Sequence, residues 1–97
     1  MRDDAASGGA LRIRVSGLVQ GVGFRYFARR EAESIGVNGY VRNLSDGSVE
    51  TVAEGRRSDL KEFLGRMRIG PPSALVSRVE VDDSIEPAGY ERFEIRF

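Results

Sequence analysis

The spacing of hydrophobic residues changes its period across a glycine-containing stretch near the start of the chain. Leu11, Ile13 and Val15 alternate with polar residues, which predicts a strand with one buried face. Beyond the stretch, apolar residues recur at helical spacing: Phe24, Phe27, Ala28, Ala32 and Ile35. Glycines at positions 17, 21 and 23 separate the two patterns. This order predicts a strand, a tight loop and a helix in close succession, with Gly36 just past the helix end.

The rest of the chain predicts a hairpin, a second helix and two more strands. Residues 40–44 and 48–54 read as strands joined by Ser45-Asp46-Gly47, in which Asp-Gly is a strong turn signal. Gly55 is expected to end the second of them. Ser58 is the expected cap of a helix with a regular apolar stripe: Leu60, Phe63, Leu64 and Met67. That helix is followed by Gly70-Pro71-Pro72, by a strand over 75–82 and by a short closing strand over 93–97.

The order β-α-β-β-α-β, with a short extra strand at the C-terminus, indicates the fold class. It predicts an α+β protein in which two helices cover one face of a mainly antiparallel sheet, the ferredoxin-like α/β sandwich. A chain of 97 residues makes one domain. We expect that domain to span residues 10–97, after a small, polar and disordered lead-in over residues 1–9.

The stretch from Val15 to Arg25 is a candidate anion site. Glycine lets the backbone adopt positive φ, and consecutive N–H groups in such a loop can form an anion-binding nest. The free N–H groups and the dipole at the helix start also favour negative charge. Arg25 adds a planar fork of donors. Together these features predict a cradle for a phosphate-sized dianion, although a turn that only joins strand to helix is the simpler alternative.

Two better-known glycine motifs do not fit this stretch. A Walker A loop ends in Gly-Lys followed by Ser or Thr, whereas this stretch ends in Gly23-Phe24-Arg25. A dinucleotide fingerprint requires a third glycine where Tyr26 stands. The role of Tyr26 stays open at this point, because it can line the rim of the pocket or pack against the sheet.

Composition excludes several classes of function. Fifteen basic residues balance fifteen acidic ones, which argues against broad binding to nucleic acid. No strand carries the basic and aromatic signature of an RNA-binding module of this fold. The absence of cysteine and histidine excludes phosphocysteine and phosphohistidine enzymes and an imidazole base, and argues against zinc. No apolar run approaches the ~20 residues of a membrane span, so we expect no membrane partner and a cytoplasmic location.

Three stretches resemble signatures of the acylphosphatase family. The first is Gly17-Leu18-Val19-Gln20-Gly21-Val22-Gly23-Phe24-Arg25. The second is Gly39-Tyr40-Val41-Arg42-Asn43-Leu44-Ser45-Asp46-Gly47-Ser48-Val49-Glu50, and the third is Gly70-Pro71-Pro72. The resemblance extends from residue 11 to residue 97. Tyr40 and Leu18 depart from the usual tryptophan and arginine of the family, at positions that are not catalytic.

The resemblance implies hydrolysis of small-molecule acyl phosphates to a carboxylate and inorganic phosphate, without a metal or cofactor. By position, Arg25 corresponds to the phosphate-binding arginine and Asn43 to the asparagine that orients the attacking water. The backbone cradle corresponds to Val19, Gln20, Gly21, Val22, Gly23 and Phe24. We expect a monomer. A non-catalytic anion-binding regulatory module of the same fold is the alternative, and it has no need of a water-positioning amide at Asn43.

Overall fold

A computed structural model describes residues 8–97 of the chain as a five-stranded sheet with two helices on one face. The elements in chain order are β1 (Gly8–Leu18), α1 (Phe24–Ile35), β2 (Asn38–Asn43), β3 (Val49–Arg56), α2 (Arg57–Ile69), β4 (Leu75–Asp82) and β5 (Phe93–Arg96). The strands lie in the order β4-β1-β3-β2-β5. Neighbouring strands are antiparallel except β5, which runs parallel to β2. The predicted ferredoxin-like α+β sandwich with an added C-terminal strand is confirmed.

The core lies between the helices and the inner face of the sheet. The predicted helical stripes supply much of it, since Phe24, Ala28, Ala32, Leu60, Phe63 and Met67 are buried. The central strands contribute Ile13, Val15, Val41, Val49 and Ala53, also buried. Thr51 is the polar residue on this face, and its hydroxyl donates to the Tyr40 carbonyl at 2.8 Å. That bond satisfies a hydroxyl that burial would otherwise leave unpaired.

The start of β1, the end of β3 and the start of α2 differ from the expected boundaries for a common reason. Most of the expected lead-in, residues 1–7, lies outside the described residues, but Gly8 and Gly9 belong to β1 and pair with Arg56 and Gly55. This pairing carries β3 through Gly55, which was expected to end it. The helix α2 therefore begins directly at Arg57, with Arg56 as its N-cap and no side-chain capping bond. The expected capping role of Ser58 is wrong, because Ser58 already lies inside the first turn.

A β-bulge changes which side chains of β4 face the core. The register between β1 and β4 shifts so that Ser16 pairs with Arg78 while Gly17 pairs with Val76. The extra residue interrupts the simple alternation. Val76 and Val79, three positions apart, consequently both pack against the core, and Leu75 is left exposed.

The segment before β5 is tied to the outer face of the sheet through Glu54. The Glu54 carboxylate accepts the backbone N–H groups of Ala88, Gly89 and Tyr90 at 2.6, 2.9 and 2.6 Å. These bonds, together with the edge-to-face contact of the Tyr40 and Tyr90 rings, lead the chain into β5. Within residues 8–97, neither helix has the length and apolarity needed to cross a membrane.

Substitution by alanine should change the free energy of unfolding in opposite directions at Gly39 and at Gly65. A Cβ on Gly39 would lie 1.9 Å from the Val52 carbonyl oxygen, and its φ is 148°. We expect Gly39→Ala to lower the free energy of unfolding by at least about 3 kcal/mol. Gly65 lies inside α2, and a Cβ added there would meet open space. Gly65→Ala should therefore raise the free energy of unfolding by about 0.5–1 kcal/mol.

Urea denaturation of both variants and the parent protein measures the two effects. Gly65→Ala is the matched control, since it adds the same methyl group at an unstrained helical position. A Gly39→Ala protein with the parent's denaturation midpoint would contradict the close packing of β2 on β3.

Candidate active site

The loop between β1 and α1 has the backbone conformation that an anion cradle requires. Gly21 and Gly23 have φ of 74° and 79°, in the left-handed region that favours glycine. Gly23 is the N-cap of α1, and its carbonyl accepts the first helical bond from the Phe27 N–H at 3.0 Å. The N–H groups in the first turn before Phe27 have no acceptor within the helix. The start of α1 therefore presents donors and the positive end of the helix dipole.

Apolar side chains hold both ends of this loop in the core. Val19 is 1% exposed and Phe24 is 2% exposed, while Val22 is partly buried and packs against the same core. Gly21 and Gly23 stand between these anchors and are exposed. The apolar anchors fix the path of the loop, and the glycines leave its backbone open to a ligand.

The Gln20 side chain joins the loop to the β2–β3 hairpin. Its Nε2 donates to the carbonyl oxygens of Leu44 and Ser48 at 2.7 and 2.8 Å. These residues flank the hairpin turn, and the Leu44 N–H also donates to the Ser48 carbonyl at 2.8 Å. Because Leu44 directly follows Asn43, the two bonds set the position of Asn43 relative to the loop. Gln20 thus acts through its amide group as a connector of two separate segments.

The hairpin turn is braced by Asp46. Its Oδ1 accepts the Ser48 hydroxyl at 2.5 Å and the Ser48 backbone N–H at 2.9 Å. These bonds, the hydroxyl bond foremost, lower the pKa of the Asp46 carboxyl below its ordinary value. The carboxylate is therefore ionised at neutral pH and keeps the turn closed. The expected Ser45-Asp46-Gly47 turn is present, with Gly47 at a φ of 92°.

Arg25 is half-buried at the start of α1, and β5 supports its side chain. Its Nη1 donates to the Arg96 carbonyl oxygen at 3.4 Å, and its Cζ lies 4.6 Å from the centroid of the Phe97 ring. A ring face attracts a guanidinium without removing its formal charge. The end of β5 therefore orients Arg25 and leaves its positive charge available to a ligand.

The loop, Arg25 and Asn43 line one cavity of about 130 Å³. Its lining residues are Val19, Gly21, Gly23, Phe24, Arg25, Tyr26 and Asn43. Of the residues predicted for the cradle, Gln20 and Val22 do not line it, because Gln20 reaches the hairpin and Val22 packs on the core. Asn43 is the last residue of β2, so the cavity brings together two segments that are 17 or more residues apart in sequence.

A larger cleft elsewhere in the fold lacks these donors. It has a volume of about 550 Å³ and lies between the start of β1, α2 and residues 83–87. Its lining includes charges of both signs, with Arg57 and Lys61 near Asp83 and Glu86. Taken over residues 8–97, the two linings share no residue. The smaller cavity is the candidate anion site, since donor arrangement rather than size decides where an anion binds.

Sequence reasoning did not find the supports of Arg25. The alternation of Phe93 and Ile95 predicts the closing strand, but nothing in it indicates the parallel pairing with β2 that brings Arg96 and Phe97 beside Arg25. The connecting role of Gln20 was likewise not predicted. The glutamine within a glycine loop, followed by a hairpin with exposed carbonyls, was the one available signal.

Comparison with known proteins gives a consistent result. The acylphosphatase family model matches residues 11–95. The acylphosphatase of Thermotoga maritima is 54% identical over 88 residues, which are 91% of this chain and 97% of that protein. The fold matches the acylphosphatase structure from Coxiella burnetii with a TM-score of 0.88 and 36% identity, covering 99% of this chain and 100% of that one. The Bacillus subtilis acylphosphatase structure matches with a TM-score of 0.87 and 41% identity, covering 91% and 98%.

Two hydrogen bonds are donated by the Gln20 amide, so a variant that cannot donate them should be less stable than the parent protein. Gln20→Ala removes two hydrogen bonds, although each carbonyl keeps a backbone donor, and should lower the free energy of unfolding by about 1–3 kcal/mol. Gln20→Glu should destabilise at least as much at pH 7, because an ionised carboxylate has no hydrogen to donate to the two carbonyls. Urea denaturation measures both variants, and amide NMR shifts should change in residues 43–48. A Gln20→Glu protein as stable as the parent would contradict the connecting role.

Proposed function

The chain belongs to the acylphosphatase family, and from this premise we propose that the cavity at the start of α1 holds the phosphoryl group of an acyl phosphate. The activity is hydrolysis of the carboxyl–phosphate bond, which yields a carboxylate and inorganic phosphate. The observation that carries the assignment of the site is the shared cavity of the glycine loop, Arg25 and Asn43. It supplies backbone donors, a fixed cation and a neutral amide in one place.

In the proposed mechanism, the loop and Arg25 bind the equatorial oxygens of the phosphoryl group. Charge spreads over these oxygens in the transition state, so positioning and electrostatics carry most of the catalysis. The guanidinium fork offers two parallel donors, and the backbone N–H groups of the first turn add others. Arg25 keeps its formal charge in its contacts with a carbonyl oxygen and an aromatic ring.

Asn43 is proposed to hold the attacking water. An amide can donate and accept hydrogen bonds at once, so it orients a water without carrying charge. A carboxylate at this position would repel the dianion. The water oxygen forms a bond to phosphorus as the bond from phosphorus to the acyl oxygen breaks, and the electron pair leaves with the carboxylate. The proton of the water passes to a phosphoryl oxygen of the substrate.

No protein acid is required for departure of the leaving group. The conjugate acid of a carboxylate has a pKa of roughly 4, so the group leaves without prior protonation. This agrees with a chain that has no histidine and no cysteine. The proposal therefore includes a reaction without a metal or cofactor.

The same proposal extends to assembly and location. All residues assigned to the site lie in one chain, so a monomer is sufficient for catalysis. A cytoplasmic location is proposed because the chain has no cysteine and so makes no use of an oxidising compartment. Size-exclusion chromatography of active protein tests the first point.

A non-catalytic anion-binding module is the rival to an enzyme. Both would bind inorganic phosphate at the cavity, and only the enzyme would turn over an acyl phosphate. Benzoyl phosphate hydrolysis, measured beside phosphate binding by NMR titration, therefore separates them. Phosphate-induced shifts centred on residues 19–25 without turnover would overturn the proposal.

Arg25 is predicted to be required for both binding and turnover. Arg25→Ala should lower the rate of benzoyl phosphate hydrolysis by at least about 10²–10³-fold and weaken phosphate binding, while the protein stays folded. Arg25→Lys should not restore activity, because an ammonium is a point charge without the fork geometry. Circular dichroism provides the control for folding. Near-normal turnover in Arg25→Ala would refute the assignment.

Asn43 is predicted to act on the chemical step more than on binding. Asn43→Ala should reduce kcat by about 10²-fold, because the attacking water loses its orientation, and should change phosphate inhibition far less. Asn38→Ala is the matched control: its Nδ2 donates to the Tyr90 carbonyl at 3.0 Å at the other end of β2, so its kcat should match the parent. Equal losses of kcat and phosphate inhibition in Asn43→Ala would instead make Asn43 a binding residue.

A further inference from the structure

The groups proposed to bind substrate in the candidate cavity all act on its phosphoryl end. The cavity has a volume of about 130 Å³ and is lined by the glycine loop, Arg25 and Asn43. In the proposed function these groups hold the phosphoryl group and its attacking water. The acyl part of the substrate must then lie at the mouth of the cavity, against whatever side chains the rim offers.

Tyr26 is the large exposed side chain among the residues that line this cavity. Tyr26 is 54% exposed, whereas Val19 and Phe24, which line the same cavity, are buried. The Arg29 guanidinium, one turn further along α1, lies 5.4 Å from the centroid of the Tyr26 ring. That contact places Arg29 over the ring and orients it, while Tyr26 stays 54% exposed.

The core does not account for the position of Tyr26. The aromatic residues on either side of it in α1, Phe24 and Phe27, pack edge to face at 5.8 Å and contribute to the core. Tyr26 points away from that cluster, as its exposure shows. An exposed aromatic ring next to Arg25, at the opening of a cavity for a charged group, presents an apolar surface to whatever is attached to that group.

We propose that Tyr26 is a specificity-determining residue whose ring contacts the acyl group of the substrate. The substrate class that this favours is acyl phosphates with a planar, apolar acyl group, because such a group can stack on the ring. An acyl group of one or two carbons is too short to gain from the contact. This inference rests on the proposed function of the cavity. It adds a contact for the acyl part of the substrate, which lies outside the cavity.

The contact is made equally before and during the reaction, since the acyl group does not change its shape as the phosphorus–oxygen bond breaks. Uniform binding of this kind lowers KM and leaves kcat unchanged. The effect of Tyr26 should therefore appear in KM, and only for substrates with a large acyl group. This separates a contact with the acyl group from a general disturbance of the phosphate cradle.

The experiment compares benzoyl phosphate with acetyl phosphate in the full chain. We expect Tyr26→Ala to raise KM for benzoyl phosphate by about five- to tenfold, with kcat and the inhibition constant of inorganic phosphate unchanged. KM for acetyl phosphate should stay within about twofold. Tyr26→Phe should retain the parent's KM for benzoyl phosphate, because it keeps the ring. Ile69→Ala is the matched control, since it removes an apolar side chain that is 76% exposed and does not line the cavity.

The outcomes distinguish failure of the Tyr26 contact from failure of the proposed function. An equal rise of KM for both substrates in Tyr26→Ala, or no rise for either, overturns the role of Tyr26 and leaves the proposed function intact. A Tyr26→Phe protein as impaired as Tyr26→Ala also overturns it, since the ring is then not the contact. If the parent protein hydrolyses neither substrate, the proposed function itself fails.

Discussion

In the proposed site, the loop after β1 keeps its backbone N–H groups free for an anion, so it cannot use those groups to hold its own shape. Unpaired backbone groups are costly, and a glycine-rich segment is the most flexible kind of backbone. Side chains therefore have to fix the loop. Val19 and Phe24 do so from the core, and the two bonds from Gln20 to the hairpin carbonyls do so from the side. The position of Asn43 relative to the loop follows from the same two bonds.

Many charged residues of this neutral chain pair with one another, whereas Arg25 contacts groups of another kind. On the outer face of the sheet, arginines pair with carboxylates: Arg14 lies 2.6 Å from Glu80, and Arg42 lies 2.9 Å from Glu50. The hydrogen bond from Arg14 also lowers the pKa of the Glu80 carboxyl, so this pair remains ionised. Arg25 instead contacts a carbonyl oxygen and an aromatic ring. In the proposed site, Arg25 and the start of α1 therefore supply the positive charge, rather than a basic composition.

Local patterns predicted most of the fold, and long-range pairing explains what they missed. The helical stripes and the Asp46-Gly47 turn depend on neighbouring residues and were predicted correctly. The start of α2 was not, because β3 extends through Gly55 only by pairing with Gly9, far away in sequence. The bulge at Ser16 and Gly17 also depends on a partner strand. The spacing of apolar residues predicts a strand, but it gives no information about which other strand will pair with that strand.

The candidate site also has a part that contiguous residues predict and a part that they do not. Its side chains further determine how the site responds to pH. The glycine loop and Arg25 are contiguous, so the residues themselves predict an anion site there, whereas the proposed role of Asn43 depends on the family resemblance. Besides the phenol of Tyr26, the side chains that line the cavity are a permanent cation, an amide or apolar. The whole chain lacks histidine and cysteine, so no side chain with an ordinary pKa titrates near neutrality. Across that range, the proposed function makes the phosphoryl group of the substrate the group whose protonation changes the charge in the cavity.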